Sequence, residues 1–171
     1  MQIGATAMQT GQAESAMAAQ YAVNMQFLTF TIGKEEYGVD IMMVREVKGW
    51  SETTRLPNTP EYIRGVLNLR GIIIPIFDLR ARLSGGLTDA NDKHVVIILA
   101  VGKRTLGILV DTVSDILTIS GSEIKASPDT NTDIDERFVS GLIAVEGRMV
   151  VLLDIEALLN KDMAQLENAH A

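Results

Sequence analysis

The chain has 171 residues, 47% of them hydrophobic, and its 22 acidic and 15 basic side chains give a net charge of −7. This length suits one domain or two small ones sharing a core, and an acidic chain with 5% aromatics is a poor nucleic-acid binder. It lacks cysteine, a signal-peptide pattern and any apolar run long enough to span a bilayer, which predicts a cytosolic protein without disulfides or thiolate metal ligands.

The N-terminal residues, 1–25, carry one charged side chain and show no sustained period. This composition predicts a flexible tail that folding does not need. Ordered structure is expected from 27 to 41, as two strands around a Gly-containing turn. A helical turn and a strand are predicted over 42–50, and Pro60 is expected to open a short helix over 60–63.

The most distinctive stretch, 68–80, is predicted to form two strands around a turn. Arg70-Gly71 supplies the turn, because glycine takes a positive φ without steric cost. Pro75 cannot donate a ladder hydrogen bond, which predicts an edge strand or a bulge, and the apolar residues around it would then offer a docking edge. Asp78 is expected to cap the helical turn that follows.

The second half of the chain begins after a polar, Gly-rich connection at 84–93. The nearly unbroken apolar run 95–101 predicts a strand covered on both faces. A polar loop is predicted at 120–135, and a hairpin after it. Asp154 is expected to cap a last helix reaching about Asn168, with a buried stripe formed by Leu158, Leu159, Met163 and Leu166.

The sequence repeats itself at two offsets. A shift of 76 places 65–79 on 141–155 with glycines, carboxylates and apolar positions matched, and a shift of 69 places 33–47 on 102–116. Because the elements follow one order in both halves, we predict a duplication. Short strands with regular turn signals and few helices favour small barrels or a sandwich.

The duplication predicts two β-rich subdomains, about 27–93 and 94–160, with 161–171 as a helix end and tail. The repeat also predicts an asymmetry. Glu46 and Arg70 are of opposite charge and are expected to pair, whereas their counterparts, Asp115 and Glu146, are both acidic.

The residues offer little for catalysis. His94 and His170 have no acidic neighbours at metal-ligand spacing, so no metal site is predicted, and no phosphate-binding loop or nucleophile motif occurs. Asp78 and Asp154 are equivalent in the two halves and could form a hydrolytic carboxylate dyad. The ordinary role of each is a helix cap. We therefore expect a protein that is not an enzyme and needs no cofactor.

Three large side chains bear on a binding role. Trp50, the single tryptophan, is either a plug for one barrel or an interface anchor. Met42 and Met43 are expected to fill the core.

Several motifs together resemble the CheW family of chemotaxis coupling proteins. The run Asn-Leu-Arg-Gly-x-x-x-Pro-x-x-Asp-Leu-Arg at 68–80 is the most specific, and the likeness extends over about 26–160. The other matching stretches are 27–30, 36–41, 44–47, 58–60, 63–66, 107–111 and 158–160.

The resemblance implies two five-stranded, SH3-like barrel subdomains related by a pseudo-two-fold axis. It also implies a non-catalytic adaptor that couples the cytoplasmic tip of chemoreceptors to the regulatory domain of the histidine kinase CheA. Such adaptors work in clustered arrays, beside other copies of themselves, and meet the membrane only through receptors.

By position, the resemblance implies a receptor-facing groove formed by Val44, Glu46, Gly65 and Arg70. It assigns Val47 and Arg64 to a first kinase contact on the first subdomain. A second kinase contact would involve Lys125 and the loop 126–131, which here lacks a large apolar residue.

Two alternatives stay open. One is a CheW-like regulatory module of another two-component assembly, such as a kinase or a receiver-containing protein, although the sequence shows no kinase or receiver region. The other is a hydrolase that uses Asp78 and Asp154.

Overall fold

A computed structural model describes residues 25–126 and 136–169 of the chain. Within those ranges the first five strands are β1 (Met25–Ile32), β2 (Glu35–Asp40), β3 (Val44–Gly49), β4 (Ile63–Leu69) and β5 (Ile72–Asp78). The next five are β6 (Val95–Val101), β7 (Arg104–Val110), β8 (Thr112–Ile119), β9 (Val139–Val145) and β10 (Arg148–Leu153). The helices are α1 (Leu79–Arg82) and α2 (Ile155–Ala169), with 3₁₀ turns at Ile41–Met43, Gly121–Glu123 and Glu136–Phe138.

The strands form two five-stranded sheets. Sheet A has the order β8-β1-β2-β10-β9, and sheet B has the order β3-β6-β7-β5-β4. The two orders are the same once equivalent strands are matched. β1 and β2 of sheet A correspond to β6 and β7 of sheet B, and β8, β9 and β10 correspond to β3, β4 and β5. Parallel pairs occur at equivalent points, between β2 and β10 and between β5 and β7. The mainly β fold and the predicted duplication are confirmed.

Four β-bulges repeat with the same symmetry. The register skips Arg45 in β3 and Ser114 in β8, which are related by the shift of 69 residues. It skips Arg64 in β4 and Ser140 in β9, which are related by the shift of 76. A bulge is a specific local feature, so four in matching positions support duplication more strongly than composition does.

The predicted subdomain boundaries do not follow the sheets. Sheet A combines β1 and β2 with β8, β9 and β10, and sheet B combines the remaining strands of both halves. The chain crosses between sheets after β2, at the 3₁₀ turn Ile41–Met43, and after β7, at Asp111. The ranges 27–93 and 94–160 therefore describe the sequence repeats, while each SH3-like sheet exchanges a hairpin with the other repeat.

The prediction that Pro75 marks an edge strand or bulge is wrong. β5 lies between β7 and β4, and the nearest bulge is in β4. Val66, opposite Pro75, uses its own N–H and C=O for Thr54, so the Val66–Pro75 pair is not hydrogen-bonded. The nitrogen of Pro75, which carries no hydrogen, therefore faces β7. No ladder hydrogen bond is needed there, because β5 pairs with β7 only from Ile76 onward.

Two smaller predictions also fail. Residues 60–63 form a turn closed by the Ile63 N–H on the Pro60 carbonyl at 3.0 Å, not a helix. Met42 is 76% exposed, because it lies on the outside of the crossing turn, whereas Met43 packs against the core as expected. The predicted N-terminal tail, except Met25, and loop residues 127–131 lie outside the described ranges.

The main core lies between the two sheets and α2. It includes Phe30, Phe77, Leu99, Ile108 and Leu158. Smaller clusters fill the other face of each sheet, and Trp50 packs at the margin of the one in sheet B, as a barrel plug would. The predicted stripe of α2 is confirmed, since Leu158, Leu159 and Met163 are buried and Leu166 is partly buried.

Candidate protein-interaction surfaces

The sequence-predicted pair Glu46–Arg70 is present. The Arg70 Nη2 atom lies 2.6 Å from Glu46 Oε2. Glu46 is in β3 and Arg70 follows β4, and these strands are the two edges of sheet B. The ion pair therefore joins opposite edges of one curled sheet, on its surface.

The backbone holds Arg70 at the tip of the β4–β5 hairpin. Arg70 and Gly71 have φ values of 52° and 86°, the two positive angles that a tight I′-type turn requires. The Asn68 side chain accepts from the Gly71 N–H at 2.9 Å. The equivalent turn in sheet A places Glu146 at φ 49°. The same geometry thus presents a cation on one sheet and an anion on the other.

Electrostatics favour the charged form of both partners. The hydrogen bond from Arg70 lowers the pKa of Glu46, and the same bond raises the pKa of Arg70. The pair is thus fully ionised at neutral pH. Asp115, the counterpart of Glu46, instead accepts from its own neighbour, the Ile116 N–H.

Gly65 is buried and acts on the site indirectly. Its φ is +129°, and a Cβ there would lie 2.7 Å from the carbonyl carbon of Thr54. Thr54 and Val66 exchange two backbone hydrogen bonds of 2.8 and 3.0 Å directly above it. Gly65 therefore allows the β3–β4 connection to lie against β4. Val44 opens β3 and packs partly against the main core.

The residues expected to contact a kinase differ in availability. Val47 is 45% exposed on the edge strand β3. Arg64 is partly exposed but already engaged within the molecule, since its Nη1 donates to the Thr88 carbonyl at 2.9 Å and its guanidinium lies 5.3 Å from the Trp50 ring centre. Lys125 is exposed at sheet A, where it bridges to Leu142. The structure therefore separates Lys125 from Val47 and Arg64 by sheet.

Sequence reasoning named Val47 but missed three further exposed apolar residues, which complete two pairs related by the repeat. Val47 in β3 corresponds to Ile116 in β8, which is 50% exposed, and Ile73 in β5 corresponds to Met149 in β10. The repeat offsets relate each pair, so the sequence held the signal. What it lacked was the knowledge that these positions face outward on both sheets.

The prediction that Asp78 and Asp154 could form a hydrolytic carboxylate dyad is wrong. The Asp78 side chain caps α1 through the Ala81 N–H, and its buried oxygens also accept from the Thr88 N–H and Oγ1 at 2.8 and 2.7 Å. Asp154 accepts from the Ala157 N–H at the start of α2. Each carboxylate is committed to a different helix, so the predicted caps are confirmed and the pair cannot act on one substrate.

Asp111 ties the second chain crossing to its surroundings. Its Oδ2 accepts from the Gly33 N–H at 2.7 Å and pairs with Arg80 at 2.5 Å, while Oδ1 lies 3.5 Å from His94 Nε2. Burial alone would raise the pKa of Asp111, but the bonds from Arg80 and Gly33 outweigh it and hold that pKa below its usual range. His94 is thus a structural partner, as its position at a strand start suggested.

Residues 25–126 and 136–169 contain neither a metal-ligand cluster nor a membrane-spanning helix. No group of three His, Cys, Asp or Glu side chains there is arranged to hold a metal ion. In the same residues, no helix combines the length and the apolar character needed to cross a membrane.

Comparison with known proteins agrees with this geometry. A family model described as a CheW-like domain matches residues 26–163. The chemotaxis protein CheW of Klebsiella aerogenes is 42% identical over 159 residues, covering 92% of this chain and 96% of that protein. The CheW of Rhizobium meliloti is 41% identical over 142 residues, covering 82% and 92%.

A solved structure is also similar. The scaffolding protein TtCheW from Thermoanaerobacter tengcongensis has a TM-score of 0.73 and 32% identity, with coverage of 80% of this chain and 88% of that one. The fold and its exposed edges define a β-rich scaffold of two SH3-like subdomains. The chain belongs to the CheW family of chemotaxis coupling and scaffolding proteins.

Proposed function

We propose that this chain couples the cytoplasmic tip of chemoreceptors to the regulatory domain of a CheA-type histidine kinase. It acts as a scaffold on the cytoplasmic side of the membrane, within receptor clusters, and reaches the membrane only through receptors. The observation that carries the proposal is the charge asymmetry between two otherwise equivalent sheets. Such a molecule can hold two different partners in fixed relation without catalysing anything.

The receptor contact is assigned to sheet B around Glu46, Arg70 and Val44. The ion pair of 2.6 Å orients the Arg70 guanidinium, whose side chain is 73% exposed, at an apolar edge. A partner that covers this ion pair removes the water that solvates its charges. Complementary charges on the partner compensate for that loss, which makes the contact selective. Gly65 supports this surface by positioning the neighbouring chain rather than by touching the partner.

The kinase contacts are assigned to edges of both sheets. Val47 is the exposed apolar centre of β3, and Arg64 stiffens β4, the opposite edge of the same sheet, through Asp78 and Thr88. Lys125 belongs to the second contact, on sheet A, where Ile116 supplies an exposed apolar side chain on β8. Edges with one central apolar residue suit modest, reversible interfaces.

Other copies of the same chain are proposed partners in the array. The exposed edges β3 and β8 are equivalent by the internal repeat but differ in charge, since β3 carries Arg45, Glu46 and Lys48 and is net positive, whereas β8 carries Asp115 alone. A head-to-tail contact between such edges is heterologous and can close into a ring. The coupling needs no metal, nucleotide or other cofactor and involves no nucleic acid.

The alternative within signalling is a regulatory module of another two-component assembly. A reconstitution distinguishes the two. Vesicles carrying a receptor cytoplasmic fragment are sedimented with a CheA-type kinase from the same genome, with and without this chain. We expect kinase to sediment only when the chain is present, and Val47→Glu to abolish kinase recruitment while receptor binding persists. Equal kinase sedimentation without the chain would contradict the proposal.

A further inference from the structure

An apolar cleft lies between the C-terminal half of α2 and the outward face of the β4–β5 hairpin. Its volume is about 390 Å³. The apolar side chains that line this α2 cleft are Leu56, Val66, Ile73, Pro75, Met163 and Leu166. Ile73 is 59% exposed, more than an isoleucine on a strand face usually is when its face is covered by its own chain.

The α2 cleft continues along the helix. A neighbouring cleft of about 320 Å³ shares Leu166 and runs past Gln165 to Asp162, with residues 57–60 as its other wall. The helix segment 162–167 is therefore one wall of a continuous trough. Five residue steps of an α-helix span about 8 Å, so this wall can pack against about one and a half turns of a second helix.

Most charged residues at the cleft are basic, although the chain as a whole has a net charge of −7. Lys103, Arg104 and Glu167 line it, and Arg55 immediately precedes its wall residue Leu56. Arg104 is held by Glu167 at 2.8 Å, whereas the ion pairs of the described residues include none for Lys103. Because Arg104 and Glu167 balance each other, Lys103 leaves the lining of the cleft with a positive charge, which favours an acidic occupant.

The geometry selects a helix over a strand. The floor of the cleft is the face of the hairpin, so it offers side chains and no free backbone ladder, and Pro75 has no N–H to donate. A helix beside α2 needs only side-chain packing at an interaxial distance of roughly 8–10 Å. We propose that the α2 cleft is a further docking surface, which binds an amphipathic helix whose apolar stripe is flanked by acidic residues.

This proposal does not rest on the assignment of receptor and kinase surfaces. It uses neither Glu46 nor Val47. The duplication also supplies a matched control, because Met149 occupies the position of Ile73 on sheet A and is 54% exposed. Among the described residues, the helix equivalent to α2 for the sheet A hairpin is α1, which has only four residues.

The probe is a synthetic helical peptide with leucines at positions i, i+3, i+4 and i+7 and glutamates beside them. A second peptide carries lysines instead of the glutamates. Methyl NMR titration follows Ile73, Met163 and Leu166, and calorimetry gives Kd. We expect shifts at these methyls, at least tenfold tighter binding of the acidic peptide, and at least tenfold weakening by Ile73→Lys or Lys103→Glu. Met149→Lys should leave Kd unchanged.

Several results would overturn the proposal. They include equal affinity for the two peptides, shifts that avoid the cleft, and equal effects of Ile73→Lys and Met149→Lys. If light scattering shows a dimer that Ile73→Lys dissociates, the occupant is a second copy and the helix proposal is wrong. If deleting residues 1–20 shifts the cleft methyls without peptide, the chain's own N-terminal segment is the occupant instead.

Discussion

Gly65 shows how one residue without a side chain controls the position of a neighbouring segment. A Cβ on Gly65 would lie 2.7 Å from the carbonyl carbon of Thr54 and 3.0 Å from the Cα of Arg55, next to the Thr54–Val66 bridge. At the equivalent Gly141 in sheet A, a Cβ would collide with the Ile124 side chain, next to the Lys125–Leu142 bridge. The duplication has therefore preserved a close approach that only glycine permits.

Gly65→Ala is expected to destabilise the fold by about 2–4 kcal/mol, since it adds backbone strain and breaks the Thr54 bridge. Gly71→Ala is the control. Gly71 also has a positive φ, of 86°, but a Cβ there meets nothing within 4 Å. It should cost only about 1–2 kcal/mol. Urea unfolding gives the loss of unfolding free energy for each variant. Equal losses would show that the contact with Thr54 does not affect stability.

The two helix-capping carboxylates predict a second contrast. Asp78→Ala leaves the Thr88 groups, the Ala81 N–H and Arg64 without their buried acceptor, at a cost of about 3–5 kcal/mol. Asp154 is exposed, so Asp154→Ala should cost only about 1 kcal/mol. Thermal unfolding of the two variants tests this. A similar loss in both would mean that the buried network around Asp78 contributes little.

For single residues, the sequence predicted roles that depend on neighbours in the chain. It did not predict contacts between residues that are far apart in the chain. Both caps and the Arg70-Gly71 turn follow from neighbouring residues. The buried bonds of Arg64 do not, because Thr88 and Trp50 approach it only after the barrel forms. The prediction that Pro75 marks an edge strand or bulge was wrong for the same reason. A proline fits a central strand when its ring nitrogen faces a side that needs no ladder hydrogen bond, and only the fold shows which side that is.

Among the structural elements, the crossing between β7 and β8 is held by polar contacts from three separate segments. The Asp111 carboxylate there contacts three elements. Its partners are Gly33 in the β1–β2 turn, Arg80 in α1 and His94 at the start of β6. These elements belong to both halves of the sequence. The side chain therefore fixes one half against the other where the chain changes sheets.

This geometry predicts a pH-dependent contribution from Asp111. Its pKa is lowered in the folded state, so its stabilisation is present above the unfolded value of about 3.9 and is lost as pH falls through the folded value. Asp111→Asn should cost about 1–2 kcal/mol near pH 7. The difference in unfolding free energy between the parent and Asp111→Asn should shrink as pH falls below the unfolded value of about 3.9 and vanish below the folded pKa.

Unfolding free energies measured from pH 2 to 8 check this expectation. Asp89→Asn, at an exposed carboxylate, serves as the control and should run parallel to the parent at every pH. A gap between parent and Asp111→Asn that stayed constant down to pH 2 would mean that the carboxylate's charge is irrelevant to its role.

Elements were more predictable than their pairing. Hairpin turns, alternation and the apolar stripe of α2 depend on residues close in sequence, so most strands and the last helix were anticipated. The exchange of hairpins between the sheets was not. Strand alternation says which face is buried but does not identify the neighbouring strand, and the same repeats would suit two sheets built from consecutive strands.

For the whole molecule, this exchange predicts that the halves are not independent. Sheet A lacks three of its five strands without the second half, and sheet B lacks β6 and β7. A fragment of residues 25–93 should show no cooperative unfolding transition alone, and mixing it with 94–171 should restore one. A stable, cooperatively folded 25–93 fragment would contradict the exchanged arrangement.

The duplicated scaffold also explains how one small chain can distinguish two partners. Its sheets share strand order, bulges and turns, so their backbones offer similar surfaces. The charges at equivalent sites differ, with Glu46 and Arg70 on sheet B and Asp115 and Glu146 on sheet A. The proposed receptor specificity therefore depends on a pair that only one sheet can form.

A charge-swap cycle measures this dependence most directly. Glu46→Arg, Arg70→Glu and the double variant are compared with the parent for binding to a receptor cytoplasmic fragment, with melting temperature as the folding control. We expect each single change to weaken binding at least fivefold with little change in melting temperature, and the double swap to recover part of the loss. Strictly additive losses, or single variants that bind as the parent does, would contradict the account.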